Sequence, residues 1–263
     1  MFSRVKMDYN FHTHTYRCGH ADGEDEEYVI RAIECGIKRM GFSDHAPFIF
    51  PDGYEIPSHI QTEKAKDYID SIKNLREKYS GKIELLVGFE MEYMPSHFDK
   101  MLENAKNIGA EYLILGQHYI ADGHPNGIAS GSSTDSEELF EQYVDCVCKA
   151  ICSGAFTYVA HPDMMKFSGS FDTYYRLMKK ICLCSLENNI PLEINFLGIR
   201  SGRAYPNPKL WEIAGEVGCP VTFGFDSHTP KDAFDGNSLT VAEWLIRRYK
   251  LNYIGEPKII RLN

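Results

Sequence analysis

Residues 9–23 read YNFHTHTYRCGHADG. A short aromatic run of the kind that favours a strand ends on His12 and His14, and His20 follows in the same segment. Side chains two apart on an extended strand point to the same face, so the imidazoles of His12-Thr13-His14 converge. The pattern recurs down the chain. Candidate strands span Tyr9–His12, Ile37–Ser43, Ile83–Glu90, Tyr112–Gly116, Phe156–Ala160, Leu192–Asn195 and Val221–Phe225. At or just beyond their carboxyl ends stand His12 and His14, Asp44 and His45, Glu90, His118, His161, Arg200, and Asp226 with His228. Buried histidines and carboxylates are costly unless paired or coordinated. Placing them at one strand end after another therefore predicts a polynuclear metal site and a metallohydrolase.

Amphipathic segments alternate with these strands, which is the signature of parallel βαβ units. Ala65, Tyr68, Ile69, Ile72, Leu75 and Tyr79 recur at helical spacing, with Gly81 as a stop signal; Phe98–Ile108 repeats the pattern before Gly109, and Leu139–Ile151 before Gly154. Further helices are predicted over Glu24–Cys35, Phe171–Asn189, Pro208–Val217 and Leu239–Tyr249. No linker or repeat divides the chain, so residues 1–263 are expected to form a single domain. Seven strands alternating with helices predict a TIM-like seven-stranded (β/α) barrel. Its carboxyl rim would gather residues more than 200 positions apart into one cup.

Lys+Arg number 28 against 37 Asp+Glu, a net charge of −9, and no cluster of five basic residues occurs. This argues against nucleic acid or an anionic membrane as partner, and leaves small anionic substrates if a metal supplies positive field locally. The segment MFSRVKMDYNFHTH has no apolar signal core and no run approaches the roughly 18 residues of a membrane helix. The expectation is a cytoplasmic protein whose eight cysteines are reduced thiols. Cys18 stands apart from the others because it lies among the histidines. The aromatic, proline-rich stretch Ala46–Pro57 fits either a lid or a packed surface crossing.

The order H-x-H, His, Asp-His, Gly-x-Glu, His, His-Pro-Asp, Asp-x-His, running from Asn10 to His228, resembles the polymerase and histidinol phosphatase (PHP) family. Within it the chain looks most like the monofunctional histidinol phosphate phosphatases. The segments behind this likeness are HTHTYRCGHADG from His12, GFSDHAP from Gly41, LEINFLGIRSGRAYPNP from Leu192 and VTFGFDSH from Val221. The resemblance implies a distorted seven-stranded barrel with three divalent ions, whether zinc, manganese or iron. One ion would take His12, His14, Glu90 and Asp226; a second Glu90, His118 and His161; a third His20, His45 and His228.

The reaction so implied is hydrolysis of L-histidinol phosphate, a step of histidine biosynthesis, by a hydroxide shared between two ions. Glu90, His118, His161, Asp226 and Arg200 would form the catalytic group. Arg200 is the expected phosphate clamp, because guanidinium matches phosphate oxygens as a fork. Lys166 is a second phosphate-binding candidate, although its context fits a solvated surface lysine better, and Arg203 is in the same position. Asp44 and Asp163 neighbour the ligands and are expected either to orient them or to bind backbone. Asp52 and Glu55, in the 46–57 loop, are candidates for the amine and imidazole of the substrate. His59, His97 and His124 are given no role. The other readings are a PHP phosphoesterase acting on another small ester, a nucleotide or a nucleic-acid end, and a metal-binding protein without turnover.

Overall fold

The computed structural model describes residues 5–262; residues 1–4 of the amino-terminal segment considered above lie outside it. The scaffold is a mixed α/β fold built on a curled parallel sheet. Strands β1 (Tyr9–Asn10), β2 (Arg39–His45), β3 (Glu84–Met91) and β4 (Leu113–Leu115) pair in that order, all parallel. Helices α1 (Asp25–Glu34), α2 (Ala65–Lys78) and α3 (Phe98–Ile108) lie between them in sequence. Two small additions follow: β5 (Tyr119–Ile120) pairs antiparallel with β6 (Ile128–Ala129), and β7 (Ser133–Thr134) pairs with β8 (Lys166–Phe167) across helix α4 (Glu137–Ser153). The second half comprises α5 (Phe171–Asn188), β9 (Leu192–Asn195), α6 (Phe196–Ser201), α7 (Pro208–Val217), β10 (Pro220–Gly224), α8 (Gly236–Tyr249) and β11 (Asn252–Tyr253).

Buried apolar runs such as Leu85–Phe89 and Leu113–Leu115 are what strands covered on both faces require. The expected helices form with shifts of a few residues at their ends, and their caps explain where they stop. Ser136, Ser170, Asn207 and Asp235 accept backbone N–H groups at the starts of α4, α5, α7 and α8. Gly109 and Gly154 close α3 and α4 in the left-handed conformation. Helix α6, which the sequence pattern did not indicate, is a six-residue turn started by the Asn195 side chain accepting from Gly198 N.

The expected strand Phe156–Ala160 lies between β4 and β9, with parallel bridges from Val159 to Leu115 and to Leu192. Thr157 N and Ala160 N donate to the Leu113 and Leu115 carbonyls and Val159 N to that of Pro191, and the chain turns away beyond them at His161, whose φ is +30°. Across the opposite gap, Thr13 bridges Ser227. Below that bridge β11 occupies the flank of β10, and Tyr9 fills the opening with its hydroxyl 3.0 Å from Thr222 Oγ1 and 2.9 Å from the Gly255 carbonyl. No helix among the described residues is long and apolar enough to cross a membrane.

Tyr112 ties the interior together. Its hydroxyl lies 3.0 Å from the Phe11 carbonyl and 3.2 Å from the Phe42 carbonyl, donating between the first two strands from the start of the fourth. Gly41 and Gly88 make this possible, since a Cβ at either position would fall 2.2 Å from the Tyr112 hydroxyl or 2.3 Å from its carbonyl oxygen. We expect Tyr112→Phe to lower unfolding free energy by about 1 kcal/mol, the usual net worth of a buried hydrogen bond, without change in the urea m-value. Urea unfolding followed by far-UV circular dichroism measures it, and an unaltered midpoint would remove the tether from the account.

Candidate active site

The carboxyl ends of the parallel strands surround a cavity of about 480 Å³. Eight of the nine predicted ligand residues line it: His14, His20, His45, Glu90, His118, His161, Asp226 and His228. His12 sits immediately beneath. Glu90, at the end of β3, is the hub: its carboxylate lies 2.8 Å from His161 Nε2, 3.3 Å from His45 Nδ1, 3.4 Å from His14 Nε2, 3.5 Å from His118 Nε2 and 3.6 Å from His12 Nε2. Asp226 Oδ1 forms a second focus, 3.3 Å from His14 Nε2, 3.6 Å from His12 Nε2 and 3.2 Å from His228 Nδ1. The His20 ring lies between those of His45 and His228, at centroid distances of 5.2 and 5.0 Å.

Backbone geometry serves this convergence. Asp226, like His161, adopts a left-handed conformation, with φ +48°, where its strand gives way to a loop. Positive φ at non-glycine residues persists only where surrounding structure enforces it. Gly116 leaves room for the hub, because a Cβ there would meet Glu90 Oε1 at 2.1 Å.

Behind the imidazoles stands a layer of buried acceptors. Glu193 Oε1 is 2.7 Å from His12 Nδ1, Glu92 Oε1 is 2.8 Å from His118 Nδ1, and Asp44 Oδ1 is 3.3 Å from His14 Nδ1. Asn195 donates to both Glu193 and Asp226, at 2.8 and 3.0 Å. These contacts fix which imidazole nitrogen faces the cup. Of the set, only Asp44 was singled out from sequence. Glu92 was legible by the argument used for His12 and His14, being two residues beyond Glu90 on the same strand face. Glu193 and Asn195 were visible only as polar residues in a buried strand.

Charges follow from this packing. Burial opposes charge on His12, but Glu193, Asp226 and Glu90 outweigh it and bring the pKa up to about 10. Burial likewise opposes charge on His14 and His118, and the neighbouring carboxylates still raise both. His45 and His20 move down instead, through burial and then the charge of His14. Glu90 and Asp226 stay well below the carboxylate range despite burial, because imidazoles surround them.

Several expected residues lie elsewhere. Arg200, read as the phosphate clamp, points away from the cavity: Nη1 donates to the Phe225 carbonyl at 2.6 Å, Nη2 donates to the Asp226 carbonyl, and Nε faces Asp232. The unforeseen helix α6 turns it outward. It braces the backbone of the Asp226 loop, while Arg203, just past that helix, lines the cavity beside Tyr205. Lys166 is exposed on β8 and outside the cavity lining. Asp52 pairs with His124 on the surface and Glu55 accepts from Thr62 N and Oγ1, so neither reaches the cup. The 46–57 loop is a packed crossing, with Phe50 buried against His97 and His124. His59, given no role, is buried in the cavity wall, 3.3 Å from Glu92. Cys18 also lines the cavity, its thiol donating to the Thr15 carbonyl.

Residues 10–196 match the PHP domain family. The chain belongs to the PHP family. It is 30% identical over 227 residues to a probable histidinol-phosphatase of Deinococcus radiodurans, covering 83% of this chain and 85% of that one. It is 24% identical to a histidinol-phosphatase of Bacillus subtilis, covering 84% and 93%. Among solved structures, histidinol phosphate phosphatase from Lactococcus lactis, complexed with zinc, L-histidinol and phosphate, superposes with a TM-score of 0.69 at 19% identity, over 94% of this chain and 95% of that one. This PHP chain thus shares the fold of that enzyme across nearly its full length.

Asp163, of the His161-Pro162-Asp163 segment, takes the backbone-binding alternative. Its Oδ2 accepts from Asn207 N, anchoring the loop that carries Arg203 and Tyr205. Burial pushes its carboxyl up to about 7 from an ordinary 3.8. The folded state therefore holds a proton that the unfolded chain releases at lower pH. This contribution to stability is complete below pH ~4 and lost as pH rises through ~7. Asp163→Asn keeps the acceptor without the charge, so its stability relative to the parent should grow between those limits, by up to about 4 kcal/mol. Urea midpoints of metal-saturated proteins at about pH 5 and about pH 8 test this, and a pH-independent difference would contradict it.

Proposed function

We propose that this protein is a metal-dependent phosphomonoesterase that converts L-histidinol phosphate to L-histidinol and inorganic phosphate. The observation that carries the reading is the convergence of six imidazoles on two buried carboxylates in one cup, with His20 beside them. Relatives matching more than four-fifths of the chain are histidinol-phosphatases, and the Lactococcus enzyme binds zinc, L-histidinol and phosphate. We further take the chain as one domain, a distorted seven-stranded (β/α) barrel with the Val159 segment as fifth strand. The bridges at Val159 and between Thr13 and Ser227 support that closure.

The donor set fits metal ions. Glu90 Oε2, Asp226 Oδ1, His45 Nδ1 and His161 Nδ1 are buried without a hydrogen-bond partner, although imidazole nitrogens and carboxylate oxygens crowd one another at 3.2–3.6 Å. Unpaired buried groups this dense are expensive unless an ion coordinates them. Four triads of ligand atoms lie within mutual reach: His12, Glu90 and His161; His12, His14 and Asp226; His14, His45 and Glu90; and His14, Cys18 and His20. We assign His12, His14, Glu90 and Asp226 to one ion, Glu90, His118 and His161 to a second, and His20, His45 and His228 to a third. The mixed imidazole and carboxylate donors suit zinc, manganese or iron. Such ions, when bound, supply Lewis acidity toward phosphoryl oxygens and an acidified water.

The chain's own contribution is orientation and charge. Glu193, Glu92 and Asp44 hold the Nδ1 atoms of His12, His118 and His14, which turns each Nε2 into the cup. Asn195 occupies one oxygen of Asp226 and leaves the other free. Arg203, at the cavity wall, replaces Arg200 as the residue that binds the non-bridging phosphate oxygens. Tyr119, Tyr205, Met164 and Leu197 line the remaining wall and would take the organic half of the ester.

The deciding assay compares kcat/KM of metal-reconstituted protein on L-histidinol phosphate and on an aryl phosphate. A strong preference for the former, lost with chelator and in His12→Ala, is expected. Equal and feeble activity on both would reject this substrate. Arg203→Ala should lower kcat/KM on L-histidinol phosphate by about 10- to 100-fold, the loss of one charge-assisted contact, whereas removal of Arg200 should act mainly on stability. The reverse ranking would restore Arg200 as the clamp.

A further inference from the structure

Away from the cup, α4 and α5 pack side by side, and a ladder of cross-helix pairs runs along their seam. Arg176 faces Glu137 and Glu141, and Lys180 faces Asp145. One turn further the charged rungs give way to thiols. Cys184 of α5 lies between Cys148 and Cys152 of α4, with its Sγ 3.7 Å from Cys152 Sγ and 3.6 Å from the Cys148 carbonyl. Asn188, the next position along α5, directs its amide toward both Cys152 and Cys184. Successive rungs keep a sequence separation of 35 or 36 residues, Arg176 with Glu141, Lys180 with Asp145 and Cys184 with Cys148, and the Cys184 sulfur reaches one turn further along α4 to Cys152, at a separation of 32.

We propose that Cys152 and Cys184 form an oxidation site, a pair that closes to a reversible disulfide between α4 and α5 on reaction with a small-molecule disulfide. Cys152 is the only exposed cysteine of the eight. Burial and the neighbouring Cys148 and Cys152 thiols push the Cys184 thiol up, so Cys152 attacks first. Its thiolate breaks the sulfur–sulfur bond of the oxidant, forms a mixed disulfide and expels one small thiolate. Cys184 then gives its proton to solvent, attacks Cys152 Sγ and expels the second thiolate. Two protein thiols are oxidised and one small disulfide is reduced to two thiols. Closure needs the sulfurs to approach from 3.7 Å to about 2 Å. Cys182 and Cys219, which are buried, have no access to the oxidant. The cross-link would enclose residues 153–183, the segment that delivers His161.

Metal-loaded protein is incubated with oxidised glutathione and digested without reduction. The expected result is loss of two of the eight thiols, one peptide joined through Cys152 and Cys184, and reversal by dithiothreitol. Cys152→Ser and Cys184→Ser should each abolish the cross-link, and Cys148→Ser should retain it. A mixed disulfide at Cys152 that never resolves, or a cross-link through Cys148, would overturn the proposal. The peptide map of the parent protein decides even if a variant fails to fold.

Discussion

The Glu90 carboxylate, buried with five imidazole nitrogens within 3.6 Å, is the constraint around which the carboxyl end of the sheet is organised. A carboxylate removed from water is tolerable only when charge or coordination compensates. Here the compensation comes from four other strand ends and their loops, so the site cannot assemble until the sheet has curled. Gly116 shows how closely the scaffold is fitted to this group, since the space taken by Glu90 Oε1 is the space a side chain at 116 would need. Gly224 does the same for Glu193, whose Oε1 lies 1.6 Å from where a Cβ would stand.

Behind Glu90 and Asp226 the acids are arranged by depth. Asp44, Glu92 and Glu193 are each fully buried and each takes the far nitrogen of one imidazole. Protons held by His12, His14 and His118 offset part of this negative charge. His20 and His45 are driven toward neutrality by burial and then by the charge of His14. Divalent ions binding such a cup would displace protons. The local field at the mouth would then be set by the ions rather than by the surface as a whole, which would reconcile the net charge of −9 with an anionic substrate.

The residues that gather in the cup were legible in the sequence because their signals are local. His12 and His14 obey strand alternation, and Glu90, His161 and Asp226 each follow an apolar run. What was not legible depends on tertiary turns. Arg200 and Arg203 are three residues apart, and which of them enters the cup is decided by the six-residue helix α6, too short to leave a periodic stripe. The Phe156–Ala160 run has strand composition and pairs with both neighbours through Val159, but the left-handed turn that follows at His161 leaves no mark in the sequence. His59 was missed because its partner, Glu92, is 33 positions away and no spacing rule links them. Asp52 and Glu55 were misplaced for the converse reason: acids in a long loop suggest a binding edge, and here they bind His124 and Thr62.

The two left-handed residues connect fold to chemistry. His161 and Asp226 each end a strand segment in a conformation that costs free energy; His161 then turns its Nε2 to Glu90, and Asp226 turns its Oδ1 to His14. The fifth segment keeps its ladder hydrogen bonds as far as Ala160, and the turn immediately beyond it lets His161 reach Glu90. The compensation for this strain, and for the unpartnered oxygens of Glu90 and Asp226, lies in whatever binds between them. An ion that binds the folded cup and not the unfolded chain stabilises the fold by mass action. Metal loading and folding stability would then be one equilibrium, coupled through the buried carboxylates and imidazoles that the strand ends bring together.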